Sequence, residues 1–72
     1  MKSVTITIKD AQVREFFQKS LVEACKEDEF KRNTTTDWYM EFPDEVDYED
    51  ARSEVEEVMW NLGFVEGKDY EF

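Results

Sequence analysis

The chain has 72 residues, 40% of them hydrophobic and 15% aromatic, with 19 acids, nine bases, no histidine and one cysteine, for a formal net charge of −10. That length predicts a single domain, residues 1–72, with a thin core that buries about 60% of the unfolded surface. The negative charge argues against nucleic acid or an anionic membrane as a direct ligand, since both would repel it; the aromatic content argues against disorder.

The charge is split along the chain. Residues 1–36 carry seven bases and six acids, a net of +1; residues 37–72 carry two bases and 13 acids, a net of −11. No secretory segment is visible and no apolar run approaches the ~20 residues that span a bilayer. With a single Cys25 and no intramolecular disulfide, a cytoplasmic, reducing setting is expected.

Residues 3–8 alternate strictly, with Val4, Ile6 and Ile8 on one side and Ser3, Thr5 and Thr7 on the other, which predicts a strand with one buried face. Asp10 reads as a helix N-cap. The segment after it places Val13, Phe16, Phe17, Leu21 and Ala24 at the 3–4 spacing of a stripe packed on a core, and the helix is expected to run to about Asp28–Phe30. Cys25, beside that stripe, is expected to be a small buried hydrophobe. Residues 34–42 alternate again, with Trp38, Met40 and Phe42 opposite Thr35, Asp37, Tyr39 and Glu41, and Pro43 ends the strand.

A second helix is expected to start at Asp44 or Asp47. Its buried stripe is Tyr48, Ala51, Val55, Val58, Met59 and Leu62, and Gly63 supplies a left-handed stop. Residues 64–72 then read as a short strand interrupted near Gly67, with Tyr70 and Phe72 on one face. The order β-α-β-α-β predicts an α+β two-layer sandwich, with two helices on one face of a three-stranded sheet. A crossover helix between the first two strands would make that pair parallel.

Catalysis finds little support. Without histidine the commonest general base and the usual triads are missing. One cysteine cannot build a zinc site, and no glycine-rich phosphate loop is present. The stretch Asp44–Asp50 has no glycine at which a calcium loop would turn, so no metal and no cofactor is expected.

The remaining signal is the acidic second helix and the loop before it: Asp44, Glu45, Asp47, Glu49, Asp50, Glu54, Glu56 and Glu57, relieved only by Arg52. Acids at a helix N-terminus are favoured by the macrodipole, which accounts for Asp44 to Asp50. It does not account for Glu54, Glu56 and Glu57, where Glu54 and Glu57 repel at i, i+3. Trp60 falls roughly opposite the apolar stripe, on the face of Glu49, Ser53, Glu56 and Glu57. It is either folded under the tail or exposed, and an exposed indole among charges has the make-up of an interface hot spot. Glu49 and Glu56 stand about 10 Å apart along the axis, with Ser53 about 6 Å from each. A carboxylate row of that pitch can occupy a groove that normally holds phosphates, which are projected at roughly 3.4 Å per step along a duplex.

In size and charge the chain resembles the compact acidic inhibitors that phages and mobile elements use against host nucleic-acid enzymes, although it shares no motif with them. The expected function is a non-catalytic, DNA-mimic-like inhibitor docking on a basic, nucleic-acid-binding surface of a partner enzyme or transcription factor. Glu45, Asp47, Glu49, Asp50, Glu56, Glu57 and Trp60 would form the contact. The alternative is a homo-oligomeric module assembling through the open sheet face at Thr35, Asp37 and Tyr39. A monomer or a homodimer is compatible with these readings.

Overall fold

A computed structural model describes all of residues 1–72. It is a small α+β sandwich with the order β1 (Lys2–Thr7), α1 (Ala11–Glu23), β2 (Lys31–Arg32), β3 (Asp37–Phe42) and α2 (Tyr48–Leu62). The sheet has the strand order β1-β3-β2 and both pairings are antiparallel. No helix is long and apolar enough to cross a membrane.

Two expectations about the sheet need correction. The strand at 34–42 begins only at Asp37 and runs antiparallel to β1, with Val4 opposite Met40 and Ile6 opposite Trp38. The cause is a hairpin: after α1 the chain lays down the two-residue strand β2, turns at Asn33–Thr36, and comes back as β3. The Thr34 hydroxyl oxygen accepts from the Thr36 and Asp37 amides at 3.4 and 3.2 Å and holds the turn. The third strand is therefore Lys31–Arg32, and the order is β-α-β-β-α. Residues 64–72 form no strand; they contribute only isolated bridges, Thr7 with Glu71 and Glu66 with Tyr70. The first of these lays the tail along the outer edge of β1 through two backbone hydrogen bonds of 2.7 and 2.9 Å.

The alternation of both long strands decides what is buried. Val4, Ile6 and Ile8 from the first strand region, and Trp38 and Met40 from β3, form the inner face. Phe17 and Leu21 of α1 and Ala51, Val55 and Met59 of α2 pack on it, so both helices share one core with one side of the sheet. Phe17 is the hub: its ring meets Phe30, Trp38 and Phe64 edge-on at 5.7, 5.2 and 5.3 Å. Such aromatic contacts add about 0.5–1.5 kcal/mol each beyond the area they bury, a substantial gain for a core this small.

Helix α1 is shorter than its spacing predicts. Asp10 caps it as expected, accepting from the Gln12 and Val13 amides at 2.8 and 3.2 Å. It ends at Glu23 because Cys25 adopts the left-handed conformation, φ 57°. The Cys25 amide then bonds the Val22 carbonyl and the Lys26 amide that of Leu21, the closure usually made by glycine. Cys25 and Ala24 are consequently exposed, against the expectation of burial. Phe16 is also 60% exposed. Adjacent residues lie about 100° apart on a helix, so Phe16 and Phe17 cannot both face a narrow core. In α2 Ala51, Val55 and Met59 are buried and Val58 and Leu62 half-buried, while Tyr48 at the start of the stripe is exposed.

Candidate functional site

The geometry of interest lies where α2 ends and the chain turns back. Gly63, at φ 94°, closes the helix: its amide bonds the Trp60 carbonyl and the Phe64 amide bonds that of Met59. That closure sends Phe64 into the core and leaves Trp60, one turn earlier, on the outside. Trp60 is 68% exposed, so the tail does not cover it.

The tail instead forms the opposite wall of a groove. Asp69 folds residues 65–70 into a compact loop, its carboxylate accepting from the Val65 amide at 3.0 Å while its own amide bonds the Val65 carbonyl at 2.8 Å. The pairing of Glu71 with Thr7 then fixes the tail and buries Tyr70, which is 3% exposed. Between the walls lies a space of about 530 Å³, lined by Ser53, Glu56, Glu57 and Trp60 from α2 and by Phe64, Val65, Glu66 and Tyr70 from the tail. Its volume is in the range of ligand pockets, about 300–1,000 Å³.

One base serves the two walls. The Arg52 Nε approaches Glu56 at 3.6 Å and its Nη2 approaches Glu66 at 3.8 Å, while its guanidinium lies 4.5 Å above the Phe72 ring. Arg52 thus ties helix to tail and leaves the groove with more acid than base. Glu57 has no ion-pair partner within 4 Å. The Tyr70 hydroxyl registers the same surroundings: burial first, then the carboxylates of Glu56 and Glu66, push its pKa up to about 12, with Arg52 opposing.

The residues singled out from the sequence are divided by the fold. Glu56, Glu57 and Trp60 line the groove, together with Ser53. Glu49 is exposed in the first turn of α2; the helical repeat puts it on the same strip, about 16 Å from Trp60 along the axis. Asp50 is exposed in that turn also, and Asp47 caps the helix by position without a side-chain hydrogen bond. Glu45 lies in the turn before it and is exposed. None of Glu45, Asp47, Glu49 and Asp50 reaches the groove. Glu54 points to another flank, beside Asp28, Glu29 and Glu41, and Asp44 pairs with the N-terminal amine at 3.3 Å. The acids therefore form one strip with outliers, not a single sheath.

The second surface differs from its expectation. Thr35 is in the hairpin turn, not on the sheet, and its carbonyl accepts from the Arg32 guanidinium at 2.8 Å. Asp37 is occupied by the hydroxyls of Thr7 and Thr36, at 2.9 and 3.1 Å. Tyr39 sits between Thr5 and Lys31. Lys31 donates to Glu41 at 2.7 Å, which holds the Glu41 carboxyl below its usual range and raises Lys31. The open face is polar, and its charged groups Asp37, Lys31 and Glu41 are paired. No three acidic or cysteine side chains converge in a way that would hold a metal ion.

Sequence reasoning missed the tail side of the groove: Phe64, Val65, Glu66 and Tyr70. The usable signal was Gly63 followed directly by Phe64-Val65, a helix stop that hands two apolar residues to a returning chain. The chain matches no protein-family model, no curated protein and no solved structure.

Proposed function

We propose that the protein is a non-catalytic binding protein whose α2 strip and tail dock on a basic surface of a partner protein, a surface that otherwise binds nucleic acid. The observation that carries the reading is Trp60: a large indole left 68% in water, with Glu56 and Glu57 beside it. Leaving so much apolar area solvated forgoes stabilisation that a 72-residue chain can ill spare, and an aromatic within a charged rim is the composition of binding hot spots. Phe16, in edge contact with Phe64 at 5.7 Å, extends the apolar area beyond the groove. The acids would steer the encounter and the indole would anchor it, so binding should weaken with salt mainly through a slower association rate. The proposed setting is the cytoplasm, where the exposed Cys25 thiol would stay reduced.

Assembly through the open sheet face is the less supported reading, since Asp37 is already taken up by Thr7 and Glu41 by Lys31.

The test uses charge reversal at two places. The wild-type chain, E56K/E57K and E23K/E27K serve as baits against a cell lysate at low salt. The two variants have the same net charge but differ in where it changed, since Glu23 and Glu27 are exposed outside the groove. A protein captured by the wild type and by E23K/E27K, lost with E56K/E57K, and displaced by duplex DNA is the expected result. Equal loss with both variants would reduce the interaction to overall charge and remove the proposed face.

A further inference from the structure

The groove holds one polar group whose state is informative. Tyr70 is 97% buried as a residue, at 3% exposure, and its hydroxyl enters none of the side-chain hydrogen bonds of the fold. Yet no fully enclosed side-chain oxygen or nitrogen in the molecule lacks a partner. Both statements hold only if the phenol oxygen touches solvent. Tyr70 lines the groove together with Glu56 and Glu66, and those carboxylates act on its hydroxyl. The ring is packed, and the hydroxyl is an unfilled acceptor among the lining residues.

We propose that this groove is the socket for a single arginine side chain of the partner protein, stacked on the Trp60 indole, paired with Glu57 and the free oxygens of Glu56 and Glu66, and donating to the Tyr70 hydroxyl. The proposal rests on the docking reading above and names its anchor. Charge complementarity selects a cation: three carboxylates line the groove and Arg52 is the one base that pairs with any of them. The arrangement of acceptors selects guanidinium over ammonium. Acceptors lie on both walls, Glu56 and Glu57 on the helix and Glu66 and Tyr70 on the tail, and the Trp60 indole stands at one side. A guanidinium spreads five donors in a plane and stacks through its face, whereas an ammonium is compact and strongly hydrated. The fold already uses this contact twice, with Arg32 4.9 Å above Trp38 and Arg52 4.5 Å above Phe72. Trp60 is the tryptophan left without such a cation.

The test is a titration of the isotope-labelled full chain with N-acetyl-arginine amide, read at the Trp60 indole N–H, with N-acetyl-lysine amide and the uncharged N-acetyl-citrulline amide as controls. Arginine amide should give a saturable shift at Trp60, Phe64, Val65 and Tyr70. Lysine amide should bind about two- to fivefold more weakly, the worth of an exposed guanidinium–indole contact, and citrulline amide should leave these resonances in place. Tyr70→Phe, which keeps the packed ring, should weaken arginine amide about threefold or more while the other resonances stay unmoved. Equal binding of the two cations, shifts as large at Asp44–Asp50 as in the groove, or an unchanged affinity in Y70F would overturn the socket. If the socket fails while E56K/E57K still abolishes partner capture and E23K/E27K does not, docking on this face stands and only its anchor is wrong.

Discussion

Replacing Trp60 with alanine should cost little stability, and the size of that cost separates an indole held out for a partner from one that serves the fold. A tryptophan buries up to about 250 Å². With 68% of Trp60 exposed, about 80 Å² remains covered, worth at most about 2 kcal/mol at ~25 cal/mol per Å². Alanine keeps the first carbon of the side chain and returns about 0.5 kcal/mol of helix propensity. The net loss should therefore be near 1 kcal/mol. Trp38 provides the contrast: it is 1% exposed, edge-on to Phe17 at 5.2 Å and covered by Arg32, so Trp38→Ala should cost about 3–5 kcal/mol. That is most of the stability of a domain this size. Urea unfolding followed by far-UV circular dichroism measures both, with the urea slope expected to be unchanged in W60A. A loss above about 3 kcal/mol for W60A, or one equal to that of W38A, would mean that the indole is structural, and the argument from its exposure would collapse.

Three other outcomes follow from the same structure. Tyr70 has a pKa raised from its ordinary 10 to about 12, so the native state keeps its proton after the unfolded state has lost it. Its contribution is complete below pH 10 and lost as pH rises through 12. One pKa unit is worth about 1.4 kcal/mol, and the hydroxyl's contact with water reduces this, so about 1–2 kcal/mol should disappear across pH 10–12; the loss should be absent from the unfolding profile of Tyr70→Phe. Cys25 holds a left-handed conformation that costs a side chain about 1–2 kcal/mol, and Cys25→Gly should raise the urea midpoint; a lower midpoint would contradict the assignment of strain there. Only six of the 19 acids join an ion pair, all solvent-exposed, so screening should relieve more repulsion than it removes attraction. Moderate salt should then raise the melting temperature, and a steady fall would show that internal pairing dominates.

The parts of the fold that were legible in the sequence are those written in periodicity. The alternation of Val4, Ile6 and Ile8, the 3–4 spacing of Ala51, Val55 and Met59, the Asp10 cap and the Gly63 stop each imprint a local pattern that tertiary contacts reinforce. The hairpin at Lys31–Asp37 was not legible, because two charged residues carry no alternation and Asn33-Thr-Thr-Thr carries no glycine to announce a turn. That single omission reversed the direction of β3 relative to β1. The end of α1 was hidden for a related reason: Cys25 does the work of a glycine, and no residue preference points to it. The helix side of the groove followed from rotation about α2, which put Trp60 with Ser53, Glu56 and Glu57. The tail side did not, because Tyr70 and Glu66 reach the groove only once Asp69 and the Glu71–Thr7 pairing have folded the last eight residues back.

The central claim is an indole open to water inside a negative field. Fluorescence quenching reads both properties at once, since Trp38 is sealed and Trp60 is the accessible emitter. Relative to their quenching of free N-acetyl-tryptophan amide, caesium should be favoured over iodide several-fold at Trp60 at low salt, and the difference should collapse in E56K/E57K while neutral acrylamide quenches both proteins alike. Equal quenching by the cation and the anion on that relative scale in the wild-type chain, or protection of Trp60 from acrylamide, would contradict the account.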